Sequence, residues 1–311
     1  MNGRPRTIIP AILAILFFTA TPCSTTRSGE FRITPKTDPG DFLVIWALSD
    51  IQPKDASQRW HLEQAIDDVN ARAPYAKIAV VAGDIVHHRE SERDFIWYLG
   101  ARKKSKVPHW YEIAGNHDMK DEKNYRKYIG NSLHYSVEAG NAIILFMSDE
   151  DRFPAQKISD ETFRWWKKKV EENQDRIIIT VTHAYLEQSR LFGYMIDSRN
   201  IGGSARFADV LKKNRVDIWI CGHTHLPSYM NDKWRIAPEL GGTLFINVSA
   251  IRKSFLNSIE SNFIILKKGR DQALVRTRNH EKGRYLSSRD ILHKLGKKFQ
   301  WDGAAPVVKF E

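Results

Sequence analysis

Cysteine is nearly absent from this 311-residue chain: Cys23 and Cys221 are the two present. If Cys23 leaves with a leader or carries lipid, Cys221 has no partner in the chain, so a disulfide-stapled scaffold is excluded and the core must hold by burial. Long apolar runs are also missing. The greasiest stretch, Ile8 to Ala20, is shorter than the roughly 18 residues a membrane span requires. Internal repeats and low-complexity blocks are absent, which excludes solenoids and long linkers.

What is present at the N-terminus is a basic head, Arg4 and Arg6, then that short apolar stretch, then Thr21-Pro22-Cys23 and a polar run from Ser24 to Glu30. This order describes an export signal or N-terminal anchor over residues 1–23, followed by a linker over 24–40. A lipidated cysteine wants Gly, Ala or Ser before it, and Pro22 departs from that pattern. Secretion and retention as an anchor both remain open. Export to a periplasmic, extracellular or membrane-anchored location is the expectation.

The formal charge is +11 at pH 7. A basic balance favours anionic partners such as phosphorylated small molecules, lipid-derived phosphates or an anionic membrane surface. No module combining aromatic and basic residues is found, so nucleic acid is not an expected partner. Asp290 to Phe299 carries apolar residues at helical spacing beside Lys294, Lys297 and Lys298. It reads as a surface helix that packs on the domain or touches a membrane.

From Asp41 to about residue 280, strand and helix patterns alternate, which predicts an α/β domain with a C-terminal extension, 281–311, packed on it. Helices are expected over Ser57–Arg72, Ser91–Lys104, Thr162–Glu172 and Ala205–Asn214. Leu133–Val137 and Ala142–Met147 flank Gly140-Asn141 as a hairpin.

Five apolar runs each end in residues with metal-binding chemistry. Asp50 and Gln52 follow Leu43–Leu48; Asp84 follows Ile78–Ala82; Asn116 and His117 follow Trp110–Ile113; His183 follows Ile177–Val181; and Gly222-His223-Thr224-His225 follows Val216–Cys221. Carboxylates, imidazoles and neutral amide oxygens together are the inventory that a pair of divalent ions needs. These blocks, Asp50-Ile51-Gln52, Gly83-Asp84, Gly115-Asn116-His117-Asp118, His183 and Gly222-His223-Thr224-His225, resemble those of the calcineurin-like metallophosphoesterases in kind and order.

The resemblance implies a four-layer α/β/β/α sandwich of two mixed sheets with flanking helices. It implies two divalent ions (manganese, iron or zinc), with Asp84 bridging them, Asp50 and His225 on the first, and Asn116, His183 and His223 on the second. It also implies hydrolysis of a phosphate mono- or diester by a metal-bridging hydroxide. His117 would act on the leaving oxygen or the phosphoryl group, and Asp118 would orient His117. The first block usually reads Asp-x-His. Gln52 replaces that histidine, and its carbonyl oxygen is a competent neutral ligand. A metal-binding regulatory protein of the same fold without turnover is the alternative. Between the two histidine blocks, Tyr185 to Arg206 is the least patterned segment, and Arg190, Arg199, Asn200 and Arg206 are its candidates for holding a substrate anion. The substrate classes favoured are nucleotides and phospholipid-derived esters.

Overall fold

Runs of consecutive apolar residues form strands buried on both faces. The chain forms β1 (Phe42–Leu48), α1 (Trp60–Arg72), β2 (Ile78–Ala82), α2 (Glu92–Lys103), β3 (His109–Ile113) and α3 (Glu122–Tyr128). The hairpin β4 (His134–Ala139) and β5 (Ala142–Met147) follows, turning at Gly140, whose φ is 58°. Then come α4 (Asp160–Glu172), β6 (Ile177–Val181), α5 (Ala205–Leu211), β7 (Ile218–Cys221), β8 (Trp234–Ala237) and β9 (Thr243–Asn247). The remainder is β10 (Glu260–Lys267), β11 (Gln272–Asn279), β12 (Arg284–Tyr285), β13 (Ile291–Lys294) and β14 (Val307–Phe310). This computed structural model describes residues 31, 33, 38–88, 92–130, 132–150, 157–254 and 257–310. The leader and most of the linker fall outside the described residues. No helix among the described residues is long and apolar enough to cross a membrane.

The strands build two mixed sheets. The first runs β12-β11-β10-β1-β2-β3, with β13 also on β11, and the second runs β14-β4-β5-β6-β7-β9-β8. Strands β1, β2 and β3 are parallel, as are β5, β6, β7 and β9. Leu43, Ile45 and Ala47 of β1 face inward with Ile144, Ile179, Ile220 and Ile246 of the other sheet, forming the central core. Side chains of opposite parity meet the helices. Trp46 and Trp110 contact each other edge-on at 5.4 Å, and Tyr98 of α2 lies 6.3 Å from Trp110. On the far side, Trp166 and Val170 of α4 and Phe207 of α5 pack with Trp219 and Phe245. Helices, sheet, sheet and helices make the four-layer sandwich.

α4 shows how the sequence sets a helix. Ser159 caps it by accepting the Thr162 N–H at 3.2 Å, Trp166 and Val170 share its buried face, and Lys167 and Lys168 pair with Glu171 and Glu172 on the exposed face.

The 290–299 segment corrects the sequence reading: it is not a helix. Ile291, His293 and Leu295 are buried in alternation, and Val275 pairs with Ile291 while Ala273 pairs with His293. The apolar spacing satisfies both periods over so few residues, and the unpaired edge of β11 decides between them. With the helix goes the membrane contact built on it.

β13 also buries an imidazole. His293 is 2% exposed, and burial, reinforced by Arg215, pushes its pKa down to about 4. Burial likewise lowers His61 and His280. A histidine whose folded pKa lies below its unfolded value binds more protons when unfolded, so stability is lost as pH falls below about 6.5. From His293 alone the loss between about pH 6.5 and 4 is on the order of 3 kcal/mol. Urea midpoints of wild type and His293→Leu at pH 7 and 4.5 check this: the variant should lose less stability on acidification, and equal losses refute the assignment.

A second buried network locks α1 to the first sheet. Ser261 Oγ accepts the Trp46 Nε1–H at 2.8 Å and lies 2.7 Å from His280 Nε2. His280 Nδ1 lies 2.8 Å from Asp68 Oδ2, which the Arg278 guanidinium also grips. The Ser-His-Asp order looks like a hydrolase relay, but Ser261 has no exposed surface. It is a packing device.

Candidate metal centre

Parallel strands end on the same side, so their C-terminal loops converge. Asp50 N–H bonds Gly83 O, Gln52 N–H bonds Asp84 O and Gly222 N–H bonds His183 O. Among the described residues, four of the six non-glycine residues with left-handed backbone are Asp50 (φ 53°), Asp84 (56°), His223 (71°) and His225 (50°). Such backbone is costly for side-chain-bearing residues, and its concentration at one place marks a site where geometry overrides local preference. The glycines of the blocks make room. A Cβ on Gly115 would fall 2.3 Å from Asp84 Oδ1, and one on Gly222 would fall 1.9 Å from Ser49 Oγ.

Two ligand groups result, Asp50-Asp84-His225 and Asp84-His183-His223, each with its ligand atoms within 4.8 Å of one another. Asp84 belongs to both. His183 Nδ1 donates to Ala82 O at 2.8 Å, which turns Nε2 toward Asp84 Oδ2 at 3.3 Å and His223 Nδ1 at 3.2 Å. His223 in turn places Nε2 against Ser198 O at 3.1 Å. Outer carbonyl partners of this kind fix tautomer and ring orientation in metal sites. His225 Nε2 lies 3.0 Å from Asp50 Oδ1.

The residues present fit divalent ions. Within each group the lone-pair atoms lie within 4.8 Å of one another, and Asn116 Oδ1 is buried with no hydrogen-bond partner, as a neutral oxygen ligand would be. Gln52 sits at the same place: its Nε2 donates to Asp84 Oδ2 at 3.0 Å and lies 2.8 Å from His225 Nε2, while Oε1 lies 2.9 Å from His87 Nδ1. Turning that amide over places its oxygen among the ligand atoms without changing its shape.

Electrostatics tell the same story. Burial opposes charge on Asp84, yet the imidazoles of His183, His117 and His223 hold its carboxyl well below the usual range. Burial opposes charge on His183 as well, and Asp84, Asp50 and Asp149 raise it well above an ordinary histidine. His223, buried beside His183, is pushed down to about 4. These are groups competing for too few protons, a role that cations take over in a metal site.

His117 is anchored outside the ligand groups. Its Nδ1 lies 2.8 Å from His87 O and 3.1 Å from Lys120 Nζ. Its ring stacks on His87 at 4.7 Å, and its N–H donates to Asp84 Oδ1 at 2.9 Å.

Asp118 requires a correction. Its carboxylate accepts the backbone N–H groups of Ile85, Val86 and Gly115 and does not orient the His117 ring. Burial, with Asp84 adding, pushes its pKa up to about 7. It is a positioning residue that ties the β2 and β3 loops together.

The arginine loop is also corrected in part. Arg206 is committed to Asp160 Oδ1 and Ile158 O and lies over Phe163. Asn200 Nδ2 donates to Tyr194 O and Ile196 O. Both brace the loop from within. Arg199 hydrogen-bonds Tyr185, and Arg190 neighbours Glu239.

One residue beside the centre went unread in the sequence. Asp149, 1% exposed, follows β5 as the candidate ligands follow their strands. Its Oδ2 has no hydrogen-bond partner, and burial pushes its pKa up to about 8. A carboxylate directly past a buried strand was the available signal. His87 links Gln52 and His117, a role visible only in three dimensions.

No curated protein matches the chain by sequence. Among solved structures, a purple acid phosphatase from yellow lupin seeds shares 13% identity with a TM-score of 0.58, covering 82% of this chain and 54% of that one. GAP50, the anchor in the inner membrane complex of Plasmodium, shares 15% identity with a TM-score of 0.54, covering 84% and 90%. At these identities the likeness shows the fold, and this chain spans about half the length of the lupin protein. A model of the calcineurin-like phosphoesterases matches residues 43–227. That stretch takes in every strand end that feeds the centre, and the chain belongs to the calcineurin-like phosphoesterase family.

Proposed function

We propose that the chain hydrolyses a phosphate mono- or diester using two divalent ions, one held by Asp50, Gln52, Asp84 and His225 and the other by Asp84, Asn116, His183 and His223. The observation that carries this reading is the pair of ligand groups sharing Asp84. Two divalent ions supply a nucleophile from water at neutral pH and neutralise the phosphoryl oxygens. The protein's own part follows from the hydrogen bonds. Asp84 fixes the His117 backbone. His117, with Nδ1 held between His87 O and Lys120 Nζ, has Nε2 left to pass a proton to the leaving oxygen. A net charge of +11 favours an anionic substrate such as a nucleotide or a phospholipid-derived ester. The basic, apolar leader supports export and association with a membrane surface.

The test strips the full chain with chelator and reconstitutes it with manganese, iron or zinc. Ions per chain and rates on p-nitrophenyl phosphate and bis-p-nitrophenyl phosphate are then measured. Two ions with turnover support the proposal. Ions without turnover on any ester point to a regulatory protein, and a chain that binds no ion sinks both.

A further inference from the structure

The loop Gly222–Ser228 supplies two of the imidazoles, and much of its backbone is held by side chains from later in the chain. Asn247 Nδ2 donates to Gly222 O, and Asn257 Nδ2 donates to His225 O at 2.9 Å. Lys233 Nζ donates to Leu226 O at 2.7 Å, and Glu260 Oε2 accepts the Ser228 N–H at 3.1 Å. Lys233 also bonds Ser249 Oγ, which donates to Glu260 Oε2 at 3.4 Å. Lys233, Ser249 and Glu260 are 6%, 2% and 5% exposed. All of these clamping residues lie beyond the stretch that the family model matches.

Withdrawing an ammonium and a carboxylate from water costs several kcal/mol per ion, and an apolar pair of similar volume would often serve stability as well. What apolar residues cannot do is hold a carbonyl oxygen and an N–H at fixed places. Lys233 takes the carbonyl just after His225, and Glu260 takes the N–H two residues further on. His223 lies at the opposite end of the loop, where Asn247 holds the backbone.

We propose that Lys233 and Glu260 form a buried clamp on the far half of the double-histidine loop, making Lys233 a positioning residue for the ion held by Asp50 and His225. This rests on the two-ion reading of the centre. It assigns the two ions different dependence on one distant side chain: the clamp serves His225, and the ion on His183 and His223 is independent of it.

Calorimetric titration of chelator-stripped full-length protein with manganese tests the clamp. Lys233→Met should weaken one of the two ions by about 10- to 100-fold, the range for partners that support metal ligands, and leave the other within about threefold. The weakened ion should be the one lost in His225→Ala, not the one lost in His223→Ala. Glu260→Gln, which keeps an acceptor oxygen, should bind more nearly as wild type does. Should Lys233→Met fail to fold, the double variant Lys233→Met, Glu260→Leu removes both charges, leaves neither unpaired and is read the same way. Unchanged affinities, or an equal loss at both ions, overturn the clamp in favour of a purely structural pair. A wild-type chain that binds no manganese overturns the underlying two-ion reading instead.

Discussion

Asp84→Asn should lose binding of both ions together and lower turnover by at least about 10³-fold, since electrophilic stabilisation by bound ions is worth several kcal/mol and each 1.36 kcal/mol is tenfold. Asp84 is the only carboxylate common to both ligand groups among the described residues. Substitution at Asp50 or His183 touches one group each. Asparagine keeps an acceptor oxygen for the His117 N–H, and turning the Gln52 amide over accommodates the new NH₂. The variant should therefore remain folded, and metal analysis with circular dichroism on one preparation separates ion loss from unfolding. A variant that keeps two ions per chain would show that Asp84 does not bridge.

His117→Ala should give the complementary result, with turnover down by about 10²- to 10⁴-fold, the usual contribution of a general acid, and metal content near normal. Its ring belongs to neither ligand group, and the contact to Asp84 comes from its main chain, which alanine retains. A further discrimination lies in the leaving group. If His117 protonates the departing oxygen, the defect shrinks on p-nitrophenyl esters, whose leaving group departs without a proton, and grows on alkyl esters. A uniform defect on both, or loss of metal, would assign His117 to the phosphoryl group or to the ligand shell.

The part of this centre legible in the sequence is the part that repeats a local rule. A buried strand is an apolar run, parallel strands end together, and hard or borderline ligands directly past such runs point to one place. Asp50, Asp84, Asn116, His183, His223 and His225 all follow that rule. Asp118 failed it because proximity to His117 in sequence says nothing of where its carboxylate turns, and three backbone N–H groups claimed it. Arg206 and Asn200 were named for their chemistry, yet neighbouring acceptors had already taken them. The segment 290–299 is ambiguous between two periods, and the open edge of nearby β11 settles it. Lys233 gave no signal at all, because a lysine in a polar stretch reads as solvated until two sheets close over it.

The strand order has a temporal consequence. β10 pairs with β1, so that Glu260–Lys267 lie beside Phe42–Leu48, and β14 flanks β4 at the edge of the other sheet. When synthesis reaches His225 every candidate ligand has been made, while β1 still exposes the edge that β10 later covers. The side chains that grip the double-histidine loop arrive later still. Contacts of such long sequence separation close late, so the ligands are synthesised well before the scaffold that aligns them. An ion that reaches the nascent chain meets loose donors, and one that reaches the finished chain meets a formed cradle.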